Sequence, residues 1–83
     1  MKYELPCYGR EKSFYGKANV EEHDGVKDLV SYTTTVCRID RKGEFHRLRG
    51  GYSATTRRHI NSFRIMNGMG AIGKSEWDGM EVG

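Results

Sequence analysis

Hydroxyl side chains stand beside paired arginines in one short stretch, Tyr52-Ser53-Ala54-Thr55-Thr56-Arg57-Arg58-His59, directly after Gly50-Gly51. At a helix start, these residue types make an anion site. Unpaired amides and the positive end of the helix dipole attract negative charge, and glycines let a backbone approach a phosphate closely. Arginines add charge-assisted hydrogen bonds. Capping accounts for the same hydroxyls, because Ser and Thr are favoured N-caps whatever the helix binds. The stretch also departs from the P-loop, which needs GxxxxGK[ST] after a buried strand. Nucleotide or phosphate binding is therefore a third-ranked reading.

Other chemistry is sparse. The histidines are His23, His46 and His59. A catalytic role for His59 would need a nearby nucleophile and an orienting carboxylate, and its helix supplies no acid. Its position beside Arg58 suits contact with a phosphate or with the sheet. Glu21-Glu22-His23-Asp24 has metal-ligand residue types, but consecutive residues in a turn diverge, which favours a solvated charge run. No HExxH, paired carboxylates or nucleophile elbow occurs. Cys7 and Cys37 form no CxxC pair, so neither a disulfide framework nor a structural zinc site is expected. Cys37 reads as a small core residue and Cys7 as a surface thiol. The expectation is a non-enzyme with no metal and no cofactor.

Charge gives the stronger signal. The net charge of +3 conceals a segment, residues 38–64, with a balance of +6. It holds Arg38, Arg41, Lys42, Arg47, Arg49, Arg57, Arg58 and Arg64 against Asp40 and Glu44. Clustered positive charge concentrates polyanions, and arginine favours bidentate contacts. Arg38, Arg41, Lys42, Arg47, Arg49, Arg57, Arg58 and His59 are the candidate binding residues. Tyr15, Tyr32 and Tyr52 are candidate stacking platforms for nucleic-acid bases. A basic hairpin over Arg38–Arg49 offers another route, since strands backed by a helix can enter a DNA groove.

These side chains need a scaffold, and 83 residues allow one small domain with a modest core. A homodimer that extends the core is compatible with this size. Residues 1–12 read as an arm or a loosely paired edge segment. Ser13–Val20 reads as a strand in which Gly16 marks a bulge or close backbone approach. Glu21–Asp28 is a charged turn around Asp24-Gly25. Leu29–Ile39 is the clearest strand, being β-branched and aromatic. Asp40–Gly43 forms a hairpin loop with Gly43 left-handed, and Glu44–Arg49 returns as a third strand. A helix follows, N-capped by Ser53 or by Thr55 or Thr56, and ended by Gly68. Ile60 and Phe63 should face the sheet, with Thr56 one turn earlier; Arg57, Arg58, Asn61 and Arg64 should point outwards. Ser75–Met80 forms a further turn that folds Trp77 onto the core. The sum is an α+β fold, β-β-β-α, with a three-stranded antiparallel sheet and a helix on one face. Which face of the middle strand is inward stays open between Ser31/Thr33/Thr35 and Tyr32/Thr34/Val36, because a one-residue slip exchanges them. No apolar run is long enough to span a membrane and no signal-peptide h-region is visible; cytoplasmic residence is the expectation.

The runs Lys12–Ala18 (KSFYGKA), Ser31–Ile39 (SYTTTVCRI) and Tyr52–Phe63 (YSATTRRHINSF) resemble a group of small uncharacterised proteins of bacterial phages and integrated mobile elements. The resemblance covers most of residues 4–66. It implies a compact accessory protein whose partner is a host protein or ribonucleoprotein, such as a CRISPR-type defence complex. On this basis the leading functional expectation is a non-catalytic inhibitor of a host factor. The alternative is a DNA- or RNA-binding module using the basic hairpin and the helix start.

Overall fold

The charged run from Glu21 to Asp28 contains a turn of only two residues. Asp24 and Gly25 take positive φ values of 52° and 80°, the combination that a type I′ hairpin requires. Strand pairing therefore extends up to this turn on both sides. In the computed structural model, which describes residues 1–6, 14, 16–49 and 53–82, this tight turn joins β2 (Ala18–His23) to β3 (Val26–Ser31). The expectations for Cys7 and the arm beyond Pro6, Ser13, Tyr15, Gly50-Gly51 and Tyr52 lie outside the described residues.

The α+β reading holds, and the sheet has five antiparallel strands where the sequence suggested three. Two additional strands come from separate causes. Lys2–Glu4 forms β1 and pairs with Glu21–Asn19 at the sheet edge, so part of the arm is an edge strand. The run Leu29–Ile39 is divided by a turn at Tyr32-Thr33, and Thr34–Ile39 returns as β4 beside β3. High β-propensity on both sides of that turn hid it, since Tyr-Thr lacks the Gly, Asn or Asp that usually marks a two-residue connection. The last strand, β5, is Phe45–Arg47, and the order is β1-β2-β3-β4-β5.

Gly16 also has a different role from the one expected. Its φ is 77°, and a Cβ there would meet nothing within 4 Å. The position needs glycine for its left-handed backbone, not for close approach. Strand β2 consequently begins at Ala18, while Phe14 still reaches the core.

Register resolves the open alternation. Leu29 pairs with Cys37 and Val30 with Thr35, leaving Val36 as the extra residue of a β-bulge. The bulge lets Val36 and Cys37 both be buried, and Ser31 is buried while Tyr32 is exposed. Tyr3, Val20, Leu29, Cys37 and Arg47 are successive partners across all five strands. The next row is Lys2, Glu21, Asp28, Arg38 and His46. Alternation puts these rows on opposite faces, so one face is largely apolar and the other is charged.

The helix α1 (Ala54–Met66) lies on the apolar face. Ser53 caps it, its Oγ accepting from the Thr56 amide at 3.2 Å. Gly68 ends it at φ 79°. There the Gly68 amide donates to Ile65 O and the Met69 amide to Arg64 O, a Schellman closure. Ile60 and Phe63 are fully buried, as the helical spacing predicts. Reversal at Gly68 brings the chain back along the helix. Asn61 accepts from the Ile72 amide at 2.9 Å, and Arg64 Nε donates to Gly70 O at 2.8 Å. These two side chains hold residues 70–72 in place, which corrects the expectation that they point freely outward. A short α2 (Lys74–Asp78) then delivers Trp77 to the core with no exposed surface. No helix is long and apolar enough to cross a membrane among the described residues.

Candidate functional site

The contacts of α1 orient it. Thr56 and His59 meet Ser31 at the end of β3, whereas Asn67 meets Lys27 near the start of that strand. The helix therefore runs antiparallel to β3, and its 13 residues cover about 20 Å. The Tyr32-Thr33 turn and the helix start share one end of the molecule. The turns at Asp24-Gly25 and Asp40–Glu44 share the other.

This layout separates the basic segment. Arg57 and Arg58 are exposed at the helix-start end. Arg49 lies towards the same end, because the preceding Leu48 amide bonds Val36 O as β5 runs back beside β4. Arg41 and Lys42 sit at the far end. Arg41 Nε donates to Asp24 O at 2.6 Å, and its Cγ lies 3.3 Å from where a Gly25 Cβ would stand. Arg41 thus staples two hairpins. Described cations of the basic segment therefore stand at two ends of the molecule, Arg41 and Lys42 at one and Arg49, Arg57 and Arg58 at the other.

Arg38, Arg47 and His59 also have structural partners. Arg38 donates to both Asp28 carboxylate oxygens, at 2.6 and 3.2 Å, on the charged face of the sheet. Burial works to raise the Asp28 carboxyl, but the hydrogen bonds and charge of Arg38, with His23 3.4 Å away, outweigh it and hold the group below the usual carboxylate range. Arg47 is buried. Its Nη1 donates to Trp77 O at 2.6 Å and Met80 O at 3.1 Å, and its Nε to Arg49 O at 2.7 Å. The guanidinium also stacks 5.2 Å from the Trp77 ring centre. His59 is buried as well, with Nδ1 2.8 Å from Ser31 Oγ and its ring edge-on to Phe14 at 4.5 Å. Of the two contacts considered for His59, the structure places the one with the sheet. Burial of both Ser31 and His59 makes the pair a tie between helix and sheet.

The helix-start end gains residues that spacing alone did not mark. Ser53, Ala54, Arg57 and Lys74 line a shallow open depression. Lys74 is 17 positions from Arg57, and only the fold of the C-terminal segment brings them together. The exposed Lys17 belongs here too, since its carbonyl accepts from the Tyr32 amide at 2.6 Å. The first turn of α1 contains no acidic residue, and Lys74 pairs with Asp78 at 3.5 Å.

One group at the far end has metal-ligand types. Asp40, Glu44 and His46 each place a ligand atom within 4.8 Å of the others. Asp40 Oδ1 already accepts from the Lys42 and Glu44 amides at 2.9 Å, and Oδ2 lies 2.7 Å from His46 Nε2. Those bonds, the one to His46 foremost, hold the Asp40 carboxyl below its ordinary range and order the loop. Cys37 is buried, and burial pushes its thiol well up, as expected for a core residue.

No curated protein and no solved structure matches the chain. A family match does extend across nearly all of it, taking in β1, the whole sheet, α1 and the Lys74 turn. By that match over residues 1–79 the chain belongs to the family described as "Family of unknown function (DUF8033)".

Proposed function

We propose that this chain is a non-catalytic binding module whose helix-start end engages a polyanionic surface, of the kind a nucleic acid or a ribonucleoprotein presents. The observation that carries the reading is the gathering of Lys17, Arg49, Arg57, Arg58 and Lys74 at one end, around a helix start without an acidic residue in its first turn. Such an arrangement raises the local concentration of anions, and the planar fork of arginine suits phosphate oxygens. Host-factor inhibition is the biological form of this reading that the mobile-element resemblance supports, and a defence ribonucleoprotein supplies the required surface.

The test is a titration of the protein against heparin and inorganic polyphosphate over a range of salt. Each phosphate neutralised contributes about −0.9 to the slope of log K against log salt for duplex DNA, and somewhat less for single strands. The reading expects a slope of several such contacts for polyphosphate. A salt-insensitive interaction, or none at low ionic strength, overturns it.

A further inference from the structure

We propose that Tyr32 is a base-stacking platform, and that the polyanion bound at the helix-start end is single-stranded nucleic acid. The inference rests on the polyanion-binding reading and names its ligand class.

Tyr32 occupies the first position of the two-residue turn between β3 and β4, with φ at 59°. A bulky residue rarely takes a left-handed backbone, whereas Gly or Asn would adopt it readily. The turn nevertheless carries an aromatic residue, and Tyr32 remains 51% exposed. It is also supported. His59 lies 5.8 Å away, centre to centre, at an inclination of 48°, and His59 is itself held edge-on by Phe14. The Tyr32 amide is tied to the Lys17 carbonyl at 2.6 Å. A half-exposed aromatic ring with a buried histidine beside it suits base stacking.

The surroundings favour a nucleobase over an apolar protein surface. Among the described residues, the other exposed large apolar side chains are Met1, Ile65 and Val82. Met1 is bonded to Glu22, close to the far hairpin, Ile65 lies in the last turn of α1, and Val82 bridges Arg47 at the β5 edge, so none adjoins Tyr32. Among the described residues, Tyr32 is therefore not part of an apolar patch. Its neighbours are Lys17 and the cationic helix start. An aromatic ring beside cations is how sequence-tolerant single-strand binders take successive bases and phosphates. An acidic polypeptide would satisfy the cations but leave the ring without a flat partner. A duplex would offer phosphates while keeping its bases stacked inside.

Fluorescence anisotropy with a mixed-sequence single strand, the same strand made abasic, and the corresponding duplex tests this. Stacking of one base is expected to favour the base-bearing strand over the abasic one by at least about fivefold. Tyr32→Ala should abolish that ratio without changing abasic-strand affinity or its salt slope, and Tyr32→Phe should keep it. Ring proton signals of Tyr32 in the wild-type protein should move upfield with the base-bearing strand and not with the abasic one. This readout does not depend on how any variant folds. A ratio near one, unmoved ring signals, or a ratio that survives Tyr32→Ala overturns the stacking proposal while leaving polyanion binding intact. Preference for polyglutamate over every strand also overturns it, in favour of an acidic protein partner. Failure to bind any polyanion at low salt overturns both.

Discussion

Arg47 shows how one residue type divides between binding and structure. Its sequence neighbourhood is that of a basic patch, yet its guanidinium is enclosed by carbonyls of Arg49, Trp77 and Met80. A charge with no carboxylate among those partners is held there by hydrogen bonds and by the Trp77 ring. Lysine lacks the planar fork that reaches several carbonyls at once. Arg47→Lys should therefore cost about 2 kcal/mol, because it leaves buried acceptors unmet. Chemical denaturation would measure this, and an unchanged midpoint would contradict the role. The enclosure by Trp77 and Met80 was not legible in the sequence, since these partners lie 30 or more positions downstream. Ser53 was legible, because a cap is satisfied by the amide three residues away. His59 falls between the two: contact with the sheet was one of two readings its position left open, and the serine that receives it was not foreseen.

At the scale of elements, local signals succeeded wherever the backbone itself demanded a residue type. Gly43 and Gly68 both take positive φ, at 85° and 79°, as loop closure and helix termination require. A Cβ at Gly68 would meet nothing within 4 Å, so backbone conformation alone sets the cost of substitution there. Gly68→Ala should lower stability by about 1 kcal/mol, and a D-alanine at that position should restore it. Equal stability of the L-alanine variant and the wild type would remove the Schellman assignment. The division of Leu29–Ile39 was not legible, because its turn uses Tyr-Thr and pairing with β2 and β5 stabilises both halves. Strand propensity reports what each half prefers and says nothing about where the chain must reverse.

For the whole molecule, the sheet keeps a charged face opposite α1, and that face makes stability depend on pH. Asp28 has a folded pKa below its unfolded one. Its stabilisation is therefore complete above about pH 4 and is lost as pH falls through the depressed folded value. Arg38→Met should reduce stability at neutral pH by about 1 kcal/mol, a figure that allows for the half-exposed guanidinium. The deficit should shrink towards zero on acidification, when the wild type loses the same ion pair. Urea titrations at neutral and acid pH would show it, and a deficit constant with pH would refute the coupling. The charge asymmetry along the sequence was legible as well. Its division between opposite ends was not, because strand direction and helix orientation decide which arginines become neighbours.

That division is the central claim, and paired charge reversals test it most directly. Arg57→Glu with Arg58→Glu alters the helix-start end, and Arg41→Glu with Lys42→Glu alters the far hairpin by the same net charge. Polyphosphate affinity measured at fixed low salt, on variants with matched circular dichroism, compares the two ends. Binding should fall at least about tenfold for the first pair, the equivalent of about 1.4 kcal/mol, and change much less for the second. Equal losses in both variants, or a larger loss at the hairpin, would contradict the assignment.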